Sequence, residues 1–281
     1  MTYNSFSNFL NSTHGPATVK AALENCLNIG FSSDCNGVKG ALFEISFADE
    51  VNSLNLGLLC MTNNELDYYH DQGFDIDCSN FGSPDWPHLK GAKKDLFHPI
   101  SGSDVYFVDV DRNSMTIKIQ DGLSIKTSIP ASSKNEPKVY LHNDAAGLAW
   151  DVVDNLVNNQ VDPRSAQKIG NVLIVRKTPK TDFAEAYFFD GSVGDIYSSF
   201  ADLSIGNRQN YVFKHGSQAV LVTNRKHKSA DLKDTSFNRG IQLLKPSYDV
   251  LENSGALKPI SKWQISYSQI RTSYMQQRFG F

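Results

Sequence analysis

No stretch of this chain approaches the roughly 18 consecutive apolar residues that a membrane-spanning helix requires, so no membrane span is expected. Charge of one sign is also missing. The 27 basic and 30 acidic residues leave a net charge of −3, too little to make a global field for a polyanion, and no specific nucleic-acid binding is expected. Cysteine is sparse: Cys26, Cys35, Cys60 and Cys78, with no C-x-x-C pair. A chain of 281 residues does not need the staples of a small secreted domain. These cysteines are therefore expected as buried free thiols in a reducing, cytoplasm-like compartment. The first residues, MTYNSFSNFLNST, carry neither a basic nor an apolar signal region, so no secretory signal is expected.

The familiar chemical signatures are lacking too. The chain contains no G-x-G-x-x-G, no G-x-x-x-x-G-K-[ST], no G-x-S-x-G and no H-E-x-x-H. Asp109, Asp111 and Asn113 mimic the start of a calcium loop, but Ser114 replaces the turn glycine and Gln120 the bidentate acid. His70, Cys78, His88 and His98 lack the near-neighbour spacing of a zinc site. His142 and Asp144 sit where a helix begins, and Asp144 is explained as its cap. No catalytic, metal or cofactor residue is assigned on these grounds.

What is present is an alternation of apolar and polar residues. The clearest helix lies within Lys138–Lys177. It opens at Asn143 or Asp144 and places Ala145, Leu148, Ala149, Val152, Val153 and Leu156 on one face. It ends at Asn158–Asn159, ahead of Pro163. A second helix is expected from Pro16 to Gly30, with Val19, Ala22, Leu23, Cys26 and Leu27 inward, and a short one over Ser247–Ser254.

Strands are expected at Ala41–Phe47 and Leu54–Cys60. A three-stranded meander follows: Asp104–Val110, Met115–Ile119 and Leu123–Ile129, with Asp121–Gly122 as a tight turn. Further pairs are expected at Val172–Arg176 with Ala184–Phe189, and at Tyr211–Lys214 with Gln218–Thr223. A final strand runs from Ile260 through Trp263, Ile265 and Tyr267. The expected fold is α+β: a mostly antiparallel sheet of meander and hairpins, packed on one long central helix with short flanking helices.

One composite domain, 1–281, is expected, with an N-terminal arm over 1–14, an irregular excursion over 62–102 and a C-terminal strand and arm over 260–281. The aromatic residues of these parts, Phe6, Phe9, Tyr68, Tyr69, Trp86, Phe279 and Phe281, are the candidate interaction surface. Isolated aromatics on extended ends suit grooves on neighbouring molecules. The leading expectation is thus a non-enzymatic assembly subunit of virus- or phage-particle type, partnered by copies of itself or by other subunits. A loop-based glycan- or protein-binding module is a further alternative.

The segment AYFFDGSVGDIYSSFADL locally resembles papain-like bacterial effector proteases, in which such an Asp orients a histidine on the preceding strand. The resemblance implies a cysteine hydrolase or a degenerate relative, with Asp190 as the orienting residue. It covers under a tenth of the chain, and the strand that begins at Gly170–Asn171 carries no histidine.

Overall fold

The computed structural model describes residues 3–30, 36–57, 59–81, 103–128, 139–141, 171–177, 183–189, 204–207, 212–215, 218–223, 241–243, 252–253 and 258–264. The long helix expected after Asn143 lies outside the described residues, as do Trp86, Phe279 and Phe281.

Three helices open the chain. Helix α1 (Phe6–Leu10) is capped by Ser5, whose hydroxyl accepts from the Asn8 N–H. Its Phe6, Phe9 and Leu10 follow the 3.6 period and are buried. Helix α2 (His14–Gly30) follows closely, because a Cβ on Gly15 would lie 2.5 Å from the Leu10 Cα. Glycine is required at that crossing. The expected face of α2, from Val19 to Cys26, is indeed buried.

Helix α3 (Asn36–Ser53) takes the place of the strand expected at Ala41–Phe47. From Phe43 to Phe47 apolar and polar residues alternate, yet Phe43, Phe47 and Val51 also repeat at i, i+4 and i+8. Ile45 separates the two readings. A strand would bury it beside Phe43 and Phe47, whereas here it is 47% exposed.

The second expected strand also shifts. Asn55 and Gly57 take positive φ values of 52° and 71°, which turns the chain, and strand β1 is Leu59–Thr62. Part of the expected irregular excursion is then ordered. Helix α4 (Asn63–Asp71) starts from a capping box: the Thr62 hydroxyl accepts from the Glu65 N–H, and the Glu65 carboxylate accepts from the Thr62 N–H. Strand β2 (Asp75–Asp77) and a 3₁₀ turn (Ser79–Phe81) follow.

Strands β3 (Val105–Asp111) and β4 (Thr116–Ser128) form the expected first hairpin. Its turn is held by the Asp111 carboxylate, which accepts from the Asn113 N–H at 2.9 Å. The expected second turn at Asp121–Gly122 does not form. Instead β4 runs straight through for 13 residues. Phe107 pairs with Asp121 and Val108 with Ile119, so Gln120 is an extra, bulged residue. Gly122 serves close approach rather than a turn, since a Cβ there would meet the Ser103 Oγ at 2.4 Å.

Among the described residues the strands form two sheets. In the first, the order is β1-β3-β4-β6-β7-β12, with β6 (Asn171–Lys177), β7 (Phe183–Phe189) and β12 (Lys258–Gln264). Strands β2 and β6 both run parallel to β4, along its two halves, and the remaining pairings are antiparallel. The second sheet is wholly antiparallel, in the order β5-β11-β10-β9-β8. It consists of β5 (Val139–Leu141), β8 (Ser204–Asn207), β9 (Val212–His215), β10 (Gln218–Thr223) and β11 (Ile241–Leu243). The architecture is therefore mixed helix and sheet, with mostly antiparallel strands.

The bulge decides how the first sheet packs. Leu123 and Ile125 join Val105 and Phe107 in the core beneath α1, α2 and α3. Ile117 and Ile119, of the same parity in sequence, join Tyr106 and Val108 in the cluster with Leu66 of α4 and Ile76 of β2. One extra residue inverts the phase of the alternation, so both halves of β4 bury apolar side chains on opposite faces. No described helix is long and apolar enough to cross a membrane.

Candidate functional site

Asp104 lies immediately before β3, anchored by its own backbone: its N–H donates to the Leu123 carbonyl at 2.8 Å, and its carbonyl accepts from the Asn63 N–H. This sets its carboxylate against the second half of β4. There the alternation puts Ser124 and Lys126 on the same side of the strand. Three groups then reach one oxygen. The Ile125 N–H donates to Asp104 Oδ2 at 2.5 Å, the Ser124 hydroxyl donates to it at 3.2 Å, and the Lys126 ammonium stands 3.6 Å from it. Among the described residues no donor reaches Oδ1.

Helix α3 adds Glu44. Burial raises its pKa to about 7, the Asp104 carboxylate pushes in the same direction, and the Lys126 ammonium opposes both. No hydrogen bond holds the Glu44 carboxyl among the described residues. Lys126 and Asp104 thus form an ion pair between a strand and a strand entry, and both charges act on the Glu44 carboxyl of the helix. The side chains of Lys126 and Asp104 are only 14% and 20% exposed, so their charges act through a medium that screens less than water. A half-buried carboxyl raised towards neutrality by its surroundings makes this cluster the candidate site of the described residues.

Two other polar clusters are accounted for by the fold. Asp121 accepts from the Phe6 N–H at 2.7 Å, from the Gly122 N–H at 2.9 Å and from the Asn171 amide, tying α1 and β6 to the bulge. Burial raises its pKa to about 6 against these hydrogen bonds. Glu185 of β7 lies between Arg176 of β6 and Lys262 of β12, in register with both. Its carboxylate accepts from Arg176 Nε at 2.7 Å and from Lys262 Nζ at 3.2 Å. Burial works to raise this carboxyl, but the two cations outweigh it and hold it below its usual value. Both clusters are satisfied internally and lock strands together.

Among the described residues, the aromatic residues singled out from the sequence fall in two separate places. Phe6 and Phe9 are fully buried, both against Phe107, with Phe6 stacked on it at 3.8 Å between ring centroids. Their side chains belong to the chain's own core rather than to an arm. Tyr68 is 60% exposed on α4, edge-on to Tyr69, which in turn packs on Phe74. Of the four cysteines, Cys26, Cys60 and Cys78 are buried thiols outside any disulfide, and Cys35 lies outside the described residues. Burial pushes the Cys60 thiol well above its ordinary value, the reverse of an activated nucleophile. His70 sits in the last turn of α4, while His88, His98, His142 and Asp190 lie outside the described residues. No group of three or more His, Cys, Asp or Glu side chains suited to a metal ion occurs among the described residues.

Glu44, Asp104, Ser124 and Lys126 were not reached by sequence reasoning, because 60 positions separate Glu44 from Asp104 and no short spacing links them. One signal existed: Asp104 and Lys126 flank the strongest alternation in the chain, where charged residues at strand ends commonly face outward in register. The chain matches no protein-family model, no curated protein and no solved structure.

Proposed function

We propose that this chain is a divalent-metal-dependent hydrolase of phosphate esters, with Asp104, Glu44 and Lys126 as its working groups. The observation that carries this reading is the oriented Asp104 carboxylate, with one oxygen saturated by three groups, beside a second carboxyl that titrates near neutrality and a shielded ammonium. Magnesium is held by one or two carboxylates together with waters and substrate phosphates, rather than by a complete protein cage. Two acids without a third ligand suit that use. Asp104 and the ionised Glu44 would hold such a cation, which would supply Lewis-acid polarisation of a phosphoryl oxygen and a more acidic bound water. Water adds to phosphorus, the ester P–O bond breaks, and the proton released by the water is returned to the departing oxygen through solvent. The Lys126 ammonium stabilises the negative charge that grows on the phosphoryl oxygens.

The net charge of −3 provides no general attraction for a polyanion, so the reading commits to the ester chemistry and leaves its carrier to experiment. Purified protein is incubated with Mg²⁺ or Mn²⁺ and, separately, double-stranded DNA, RNA and bis(p-nitrophenyl) phosphate. Hydrolysis of at least one substrate is expected, abolished by EDTA and reduced about 100-fold or more in Asp104→Asn and Lys126→Ala. No hydrolysis with either metal, or hydrolysis indifferent to Asp104→Asn, overturns the reading.

The second reading is the assembly subunit. Tyr68 favours it, a large aromatic side chain 60% exposed on a helix whose other aromatic, Tyr69, is already packed. Light scattering at rising concentration tests it. Higher-order particles lost in Tyr68→Ala support it, and a monomer at every concentration removes it.

A further inference from the structure

We infer that Asp121 is a proton-linked latch that sets how firmly the N-terminal helix α1 is held on the first sheet. Helix α1 packs into the core beneath it through Phe6, Phe9 and Leu10, and among the described residues one carboxylate makes its polar tie to the sheet. The Phe6 N–H donates to Asp121 Oδ2 at 2.7 Å, across 115 positions of sequence. That N–H belongs to the first turn of α1, where backbone donors have no partner within the helix. The same carboxylate accepts from the Gly122 N–H at 2.9 Å and from Asn171 Nδ2 at 2.9 Å. A titratable group thus stands where α1, the bulge of β4 and the start of β6 meet. Helix α1 cannot lift without breaking its bond to that group and letting water reach it.

Among the described residues no charged side chain acts on Asp121. Strand β3 places Phe107 opposite it and β6 places Asn171, and α1 carries no charged residue. On α2, Lys20 and Glu24 face each other. On α3, Glu44 is acted on by Asp104 and Lys126, and on β6 Arg176 is bound to Glu185. Burial therefore outweighs the three donors and raises the Asp121 carboxyl from 3.8 to about 6. The neutral carboxyl still offers an oxygen to the Phe6 N–H, so the proton does not break the tie. Lifting α1 returns the carboxyl to water and to its ordinary value. Between those two values the docked state holds more protons than the lifted one. Docking is therefore firmest in acid and weakens as pH rises through that window.

Amide hydrogen exchange of the full chain tests the inference, read at the Phe9 N–H that bonds to the Ser5 carbonyl and divided by the intrinsic rate at each pH. Opening of α1 is expected to rise about 50-fold between pH 4 and pH 7. Asp121→Asn keeps an acceptor without the titration and is expected to remove that dependence. Helix α2 also brings a titratable group to this segment, His14, edge-on to the Tyr3 ring at 6.4 Å. His14→Gln is therefore the control and is expected to leave the dependence in place. Opening that does not change with pH in the wild type, or a dependence that survives in Asp121→Asn or is lost in His14→Gln, overturns the latch. Titration of the Asp121 carboxyl by carbon NMR in the wild type covers the case in which Asp121→Asn does not fold. A midpoint of about 6 supports the latch, and one near 3.8 overturns it.

Discussion

Replacing Phe6 by alanine separates an N-terminal segment that belongs to the core from one that docks on other molecules. The Phe6 ring is fully buried, stacks on Phe107 at 3.8 Å and lies 6.3 Å from the Phe47 ring. Returning a buried phenylalanine side chain to water costs about 1.5–3 kcal/mol. The space left between two aromatic rings closes only in part, which brings the total to about 3–5 kcal/mol. The Phe6 N–H bond to Asp121 is a backbone contact and survives the substitution, so the loss reports packing alone. Urea denaturation of the monomer, followed by circular dichroism, is the assay. The midpoint is expected to fall by an amount equivalent to about 3–5 kcal/mol with the slope unchanged. A loss below about 1 kcal/mol, accompanied by a change in particle size, refutes the packing argument and restores the segment as an intermolecular arm.

Two further outcomes follow from the same structure. The folded-state pKa of Glu44 is raised from 4.5 to about 7, so between those values the native state binds more protons than the unfolded chain, and stability falls as pH rises through that window. Glu44→Gln is expected to flatten that slope and to stabilise the protein at pH 8 by about 1–3 kcal/mol, measured by denaturation at pH 5 and pH 8; an unchanged slope refutes the assignment. Gly122→Ala is expected to cost about 1–3 kcal/mol by overpacking against Ser103, and Ser103→Gly in the same chain is expected to recover most of the loss. A Gly122→Ala protein as stable as the wild type shows that the Ser103 contact is relaxed in solution.

Several elements were legible in the residues. The apolar face of α2, the β3–β4 turn and the β6–β7 and β9–β10 pairs all follow from periodicity with polar breaks between, which is local information. The start of α4 was missed: its Thr62-x-x-Glu65 capping box lies in the stretch expected to be irregular, where the surrounding polar and aromatic residues favour a loop reading. Ala41–Phe47 was misread because seven residues satisfy both a period of 2 and a period of 3.6, and only the exposure of Ile45 and the continuation to the buried Val51 separate them. Asp121–Gly122 was misread because its two residues suit a tight turn whenever the flanking strands pair with each other. Here those flanks form one strand, which pairs with β3 from Thr116 to Leu123, with β2 from Thr116 to Lys118 and with β6 from Leu123 to Ser128.

For the candidate site the division is sharper. By itself the sequence determined that Ser124 and Lys126 share one side of a strand, that Asp104 stands at the entrance of another, and that no compact motif supplies a ready-made cofactor loop or metal cage. These are consequences of the alternation of side chains along an extended backbone and of spacing within a few residues. Only the tertiary structure decided that Glu44 belongs to a helix, that this helix lies close enough to Asp104 and Lys126 for their charges to act on its carboxyl, and that three groups of β4 converge on one oxygen of Asp104. The physical reason is that register, a one-residue bulge and burial are settled by pairing and packing between distant segments, and the charge state of Glu44 depends on them.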